Sequence, residues 1–224
     1  MDFNELDKAK FLNKFDEALS RGLCIGKGTR DGQMCIEAAI CYALDLPHSD
    51  DPKCVTPSVR NFKIRLNDSS RWKSPDSRAM HLRALGIAQV GSAGVVNSRE
   101  FSEQIAKRII QVLIPKLFRE LYPNRFVELV NECERVGTAA AARALGNAAN
   151  ADVYTTYAVY DAVYAAVYAA DVAYSAAYAV YAADAANTAA NAANAADGEK
   201  YLVLAADLAL ETLKELKSPG CAWL

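Results

Sequence analysis

Between Thr138 and Asp197 the chain holds 28 alanines in sixty residues, interrupted almost only by Tyr, Val, Asp and Asn. Alanine is the best helix former because it loses no side-chain entropy on ordering, so this stretch is helical. The interruptions are patterned. Asn150, Tyr154, Tyr157, Asp161, Tyr164, Tyr168, Asp171, Tyr174, Tyr178, Tyr181, Asp184, Asn187, Asn191 and Asn194 follow one another at spacings of three or four, which places them on one helix face. Up to Asp171 the spacing matches a heptad, and beyond it the steps shorten, so the chain is expected to bend or break after Asp171. One unbroken helix of this length would run about 90 Å, against a radius of gyration of about 17 Å for a compact domain of this size. Breaks are therefore expected among Gly146-Asn147, Thr155-Thr156, Asp171 to Ser175 and Asp184 to Thr188, the weakest helix formers in the run.

The remainder of the chain reads as amphipathic helices. Apolar residues recur at helical spacing over 4–19, 34–44, 98–114, 116–121, 124–136 and 199–217, and Thr56-Pro57 and Ser74-Pro75 are start signals for two more. No stretch alternates with the period of a strand. The fold class is all-α, with a mixed-composition helical domain over 1–137 followed by an Ala/Tyr-rich region over 138–224, or the two as one continuous domain. The glycine-rich segment from Gly22 to Gly32 reads as a plain loop, because Gly26-Lys27-Gly28 lacks the Ser/Thr of a phosphate loop and follows no strand.

Charge and cysteines narrow the setting. Residues 1–135 hold 21 Lys and Arg against 18 Asp and Glu, and the remainder 4 against 9, so neither part has the basic balance of a nucleic-acid binder. No window is apolar enough to span a bilayer, and six cysteines without a secretion signal read as reduced thiols in a cytoplasm. The segment CIEAAICYALDLPHSDDPKCV followed by FKIRLNDSSRW, within residues 20–92, resembles a signature of uncharacterised bacterial and phage proteins. That resemblance implies a prokaryotic or phage intracellular setting and carries no activity.

Four chemical readings follow from particular residues. Cys35 at a helix start, where unpaired amides lower a thiol pKa, together with His48 and Asp50, has the makings of a thiol hydrolase. The competing reading makes Cys35 and Cys41 core residues and His48, Ser49 and Asp50 a capping turn. Cys24, Cys35, His48 and Cys54 have zinc-ligand chemistry but poor spacing, with no Cys-x-x-Cys pair in the chain. Glu37 reads as a solvent-facing acid, with burial against Arg60 or Arg65 as the alternative. Arg60, Lys63, Arg65, Arg71, Lys73, Arg78 and Arg83, interleaved with acids, read as a solvated helical surface rather than a phosphate-binding patch.

The stripe of Tyr154, Tyr157, Asp161, Tyr164, Tyr168, Asp171, Tyr174, Tyr178 and Tyr181 is the distinctive feature. Packing is the expected role for most of it, with Val153, Tyr157, Tyr160, Tyr164 and Val167 as the bulky face. As a recognition surface, its rings supply contact area at low entropy cost and the interspersed Asp and Asn supply hydrogen bonds. The expectation is a cofactor-free binding protein that engages a protein partner or its own copy, with a hydrolase using Cys35 and His48 or a zinc-stabilised module as alternatives. An inhibitor of a host system and a ligand-sequestering protein are narrower forms of the first.

Overall fold

The computed structural model describes residues 3–152, 157–171, 179–193 and 198–224. Its helices are α1 (Lys8–Leu19), α2 (Ile36–Ala43), α3 (Pro57–Asn67), α4 (Pro75–Ala88), α5 (Ser98–Arg108), α6 (Ile114–Leu121), α7 (Val127–Val136), α8 (Ala139–Ala151), α9 (Tyr157–Asp171), α10 (Ala179–Ala192) and α11 (Glu199–Glu215), with short 3₁₀ turns at Phe3–Glu5 and Pro219–Trp223. No sheet forms among the described residues, where the only β pairing is two isolated bridges at Met34. The fold is all-α. None of these helices is long and apolar enough to cross a membrane.

Helix ends follow local chemistry. Asp7, Ser74 and Thr138 each accept a hydrogen bond from the amide three residues on, and Asn97 caps the amides of Arg99 and Glu100. Pro115 neither ends the fifth helix nor starts a separate one. Instead α5 and α6 join through a π-helical turn at Ile109–Leu113, closed by a hydrogen bond from the Ile114 amide to the Ile109 carbonyl. Proline has no N–H for the ordinary i−4 bond and its ring crowds that carbonyl, and the wider turn lets the chain continue past it.

α10 is the centre of the molecule. It packs against α9 most extensively, and also against α3, α5 and α11. Ala179, Ala182, Ala183, Ala185, Ala186, Ala189 and Ala190 are all buried, a distribution that wraps most of the helix circumference. A helix enclosed on several sides needs small side chains wherever a neighbour comes close, which is why this one is built from alanine.

The segmentation of the alanine run differs in part from expectation. α8 runs unbroken through Gly146 and Asn147, and a Cβ on Gly146 would stand 3.0 Å from both Val163 and Tyr164, so this glycine permits close approach of α9. α10 likewise runs through Asp184 to Thr188, where the Thr188 hydroxyl donates to the Asp184 carbonyl at 2.5 Å and Asp184 pairs with Arg65. The expected breaks at Thr155-Thr156 and within 172–175 lie outside the described residues.

The compositional boundary at 137/138 is crossed by one buried cluster that reaches from Phe11 to Trp223. α10 rests on α3 and α11 on α4. The C-terminal tail returns to the N-terminus, with the Trp223 ring stacked on Phe3 at 4.5 Å and tilted against Phe11 at 5.2 Å. The Ser218 hydroxyl donates to the Ala88 carbonyl at 2.5 Å and the Gly220 amide to the Val90 carbonyl at 2.9 Å, which fastens the tail to the end of α4.

Candidate functional site

The glycine-rich loop is held by the end of α3, the residue that follows it and α4. The Asn67 amide donates to the Cys24 carbonyl at 2.9 Å, Asp68 accepts from the Gly26 amide at 2.9 Å, and the Arg78 guanidinium donates to the Leu23 carbonyl at 2.7 Å. The Asn-Asp pair of the sequence signature is thus a latch on the loop. His48 Nε2 lies 3.1 Å from the Gly28 carbonyl, an arrangement in which the ring nitrogen must be the donor. Cys35 precedes α2 as its N-cap, and its sulfur accepts from the Ala38 amide at 3.4 Å.

No hydrogen bond joins His48 to Cys35 among the described residues. The expectation of a lowered Cys35 pKa at the helix start is reversed: burial pushes this thiol up to about 12, a desolvation that outweighs the amide hydrogen bond. Burial pushes Cys41 up to about 12 as well. Both are core side chains, 3% and 1% exposed. Ser49 caps its own turn by accepting from the Asp51 amide at 3.1 Å, while Asp50 stays exposed. No group of three or more His, Cys, Asp or Glu among the described residues is placed to hold a metal ion, so Cys24, Cys35, His48 and Cys54 are not gathered into a site.

Glu37 is the clearest departure from the expected solvent-facing acid. It is fully buried, its Oε1 lies 3.2 Å from the equally buried Lys63 ammonium, and its Oε2 accepts from the Gln89 amide at 2.9 Å. The partner is thus Lys63, and Arg60 acts on Glu37 only from farther away while pairing directly with Asp51. Desolvation pushes the Glu37 carboxyl up from its ordinary value and the Lys63 ammonium down, and each charge opposes the other's shift. The cluster is sealed from solvent, so it has no access for a substrate.

The run of basic residues is divided: Lys63 and Arg78 are buried, whereas Arg65, Lys73 and Arg83 stay at the surface and pair with acids there. Arg65 pairs with Asp184, Arg71 donates to Asn191 at 2.6 Å, and Arg83 holds Asp16 through two bonds of 2.6 and 2.8 Å. Arg78 is 6% exposed and bonds the Leu23 and Ser69 carbonyls, while Lys73 pairs with Glu199 at 3.4 Å. Asp184, Asn187 and Asn191, the end of the polar stripe, are therefore what docks α10 on α3 and the turn after it, with Asn187 donating to the Arg65 carbonyl at 3.2 Å.

Among the described residues, the aromatic part of the stripe on α9 lies at or near the surface. The buried face of α9 is Val159, Ala162, Val163, Ala166 and Val167, so of the expected bulky face Val167 is core, the tyrosines stand nearer the surface, and Val153 lies outside the described residues. Tyr157 is 85% exposed, Asp161 is exposed, and Tyr160 and Tyr164 are half-buried. Their rings form a ladder, 6.5 Å from Tyr157 to Tyr160 and 4.3 Å from Tyr160 to Tyr164. The Tyr164 hydroxyl donates to Asn147 on α8 at 2.7 Å, which fixes the inner end of the ladder. Tyr181 is half-buried against the core on α10, away from the exposed end. Tyr154, Tyr174 and Tyr178 lie outside the described residues, as do the side chains of Tyr168 and Asp171.

No protein-family model matches the chain, and neither a curated protein nor a solved structure is similar to it.

Proposed function

We propose that this protein is a cofactor-free binding module that engages a protein partner through the ladder of Tyr157, Tyr160 and Tyr164 with Asp161 and Asn147. The observation that carries the reading is the 85% exposure of Tyr157 at the open end of a row of edge-on and tilted rings whose inner end is pinned to α8. A pre-ordered aromatic surface loses little conformational freedom on association, and tyrosine adds a hydroxyl to each ring. Residues 144–199 contain no Lys or Arg, so along its own segment the ladder is interspersed with carboxylates and amides. That chemistry repels a phosphate backbone and favours a cationic partner, whose Lys or Arg heads are attracted by ring faces and by Asp161. The cytoplasmic and prokaryotic or phage setting belongs to this proposal and rests on cysteine usage and the sequence signature.

The test is surface binding of the full-length protein to an Arg-rich peptide, an acidic peptide of equal length and a single-stranded oligonucleotide. Binding of the Arg-rich peptide that drops about tenfold or more in Tyr157→Ala/Tyr160→Ala/Asp161→Asn, with unchanged far-ultraviolet circular dichroism, supports the reading. Equal binding by that variant, or preference for the oligonucleotide, overturns it.

A further inference from the structure

The tyrosine ladder on α9 contains a corner. Tyr157 and Tyr160 stand 6.5 Å apart with their ring planes at 73°, whereas Tyr160 and Tyr164 are 4.3 Å apart at 38°. Tyr164 therefore lies close against Tyr160, and the wider gap is on the Tyr157 side. At 85% exposure Tyr157 keeps its ring faces open to solvent. Asp161 is exposed beside them, one residue after Tyr160 and one turn after Tyr157. The Tyr160 hydroxyl is raised above the ordinary phenol value, chiefly by its hydrogen bond to Tyr164 and in smaller part by the Asp161 charge, so that carboxylate acts on the rings at short range.

Other rings of the molecule already carry cations. Lys14, Arg21 and Arg30 lie over Tyr42 at 5.3, 5.5 and 5.7 Å, Arg125 over Phe126 at 5.8 Å and Lys200 over Tyr201 at 5.4 Å. Among the described residues none lies over Tyr157, Tyr160 or Tyr164. Residues 144–199 hold no Lys or Arg, so the ladder's own segment supplies no cation either.

We infer that this corner binds a trimethylammonium head carried on a methylated lysine of the partner, an assignment that rests on the binding function proposed above. A ring face attracts a cation within about 6 Å of its centroid. Two centroids 6.5 Å apart allow one cation to meet that limit at both rings. Head shape then selects among cations. A guanidinium is planar, so when it lies flat on one ring it meets the other at about 73° and stacks on only one of them. An unmethylated ammonium is compact and strongly hydrated, and a shallow site returns little for the water it gives up. A trimethylammonium is round and weakly hydrated, so it presents the same surface to both rings while Asp161 balances its charge.

The same head occurs on free choline and on phosphatidylcholine. The corner stands on an exposed helix face, where one cation–π contact contributes little by itself. A peptide that also reaches Tyr164 and Asn147 is therefore the favoured carrier.

The test is fluorescence anisotropy of the full-length protein with the Arg-rich peptide, its central residue being Arg, Lys or trimethyllysine, alongside choline chloride and phosphatidylcholine vesicles as competitors. The trimethyllysine peptide should bind about threefold or more tighter than the other two, the size of one exposed cation–π contact. Tyr157→Leu should erase that preference and Tyr157→Phe should keep it, because the ring face and not the hydroxyl makes the contact. Tyr157 lies outside the core, so neither change disturbs the fold. A trimethyllysine peptide that binds no tighter than the Arg peptide, a preference that survives Tyr157→Leu, or binding of choline or vesicles without the peptide overturns the inference. Where the Arg and trimethyllysine peptides bind alike and both depend on the ladder, the methylated head is ruled out and the cationic partner stands. No binding by any of the three peptides overturns both.

Discussion

The Lys63 ammonium and the Glu37 carboxylate meet at 3.2 Å with neither residue exposed to solvent. Each comes from a different helix, α3 and α2, so the pair ties these helices together at a point where hydrocarbon contact alone would tolerate sliding. A second tie comes from Gln89, beyond the end of α4. Desolvation of two charges offsets much of their attraction, so such a pair adds little net stability, yet breaking it is costly.

Lys63→Met alone should therefore destabilise the protein by about 3–5 kcal/mol, because Glu37 is left buried without a counter-charge. Glu37→Leu/Lys63→Met should recover most of that loss. Urea denaturation followed by circular dichroism measures both, and a double variant as unstable as the single one would contradict this account of the pair.

The six cysteines should react unequally. Burial pushes Cys35 and Cys41 up to about 12 and Cys133 up to about 11, so little thiolate forms at neutral pH. Cys24 and Cys221 are half-buried and should be alkylated first. Iodoacetamide labelling of the native protein at pH 8, read by peptide mass spectrometry, checks the order. Fast, selective modification of Cys35 would instead revive the thiol-hydrolase reading.

Two glycines of the first loop separate backbone strain from steric exclusion. Gly26 and Gly28 have φ of +67° and +68°, but a Cβ on Gly26 meets nothing within 4 Å, whereas one on Gly28 would stand 2.2 Å from the Gln33 carbonyl and 2.8 Å from Met34 Cα. Gly26→Ala should cost about 1–2 kcal/mol, the ordinary left-handed penalty. Gly28→Ala should cost more, since the bridges to Met34 must also move. Comparing the two midpoints in denaturant tests this directly.

Acid stability should carry the mark of Asp45. Hydrogen bonds from Lys14 and Lys10 lower its carboxyl to about 2, below its ordinary value of 3.8. A carboxyl depressed in the folded state contributes stability that is present above pH 3.8 and is lost as pH falls through 2. Asp45→Asn should flatten the stability profile between pH 4 and 2 and leave its slope near neutral pH unchanged. Thermal melts across that range, at low salt because the pair is exposed, give the comparison.

Much of the fold can be read from residues close in sequence. The start signals at Thr56-Pro57 and Ser74-Pro75, the helical spacing expected over 4–19 and found from Lys8, and the alanine content of 138–197 each act within one or two turns, where backbone propensity decides the outcome; the Thr56 hydroxyl caps nothing on α3 and donates to the Ser92 and Val96 carbonyls instead. The polar stripe from Asp184 to Asn191 was visible as a helix face because period 3.6 is a local property.

What that stripe does was not visible, because the answer lies on other helices. The same three-and-four spacing serves two ends: at Asp184, Asn187 and Asn191 it meets Arg65 and Arg71 across a packed interface, and at Tyr157 and Asp161 it meets solvent. Gly146 and Thr188, weak helix formers in isolation, lie inside helices nonetheless, Gly146 against Val163 and Tyr164 of α9 and Thr188 with its hydroxyl returned to the Asp184 carbonyl of its own helix. Tertiary structure likewise decided that Glu37 is buried beside Lys63 rather than exposed or paired with an arginine, since burial and partner choice depend on which helices pack and not on the spacing within any one of them. Sequence alone determined that the chain is a set of helices rich in alanine, and only their packing determined which faces of those helices became core, which became helix–helix interface, and which stayed exposed to solvent.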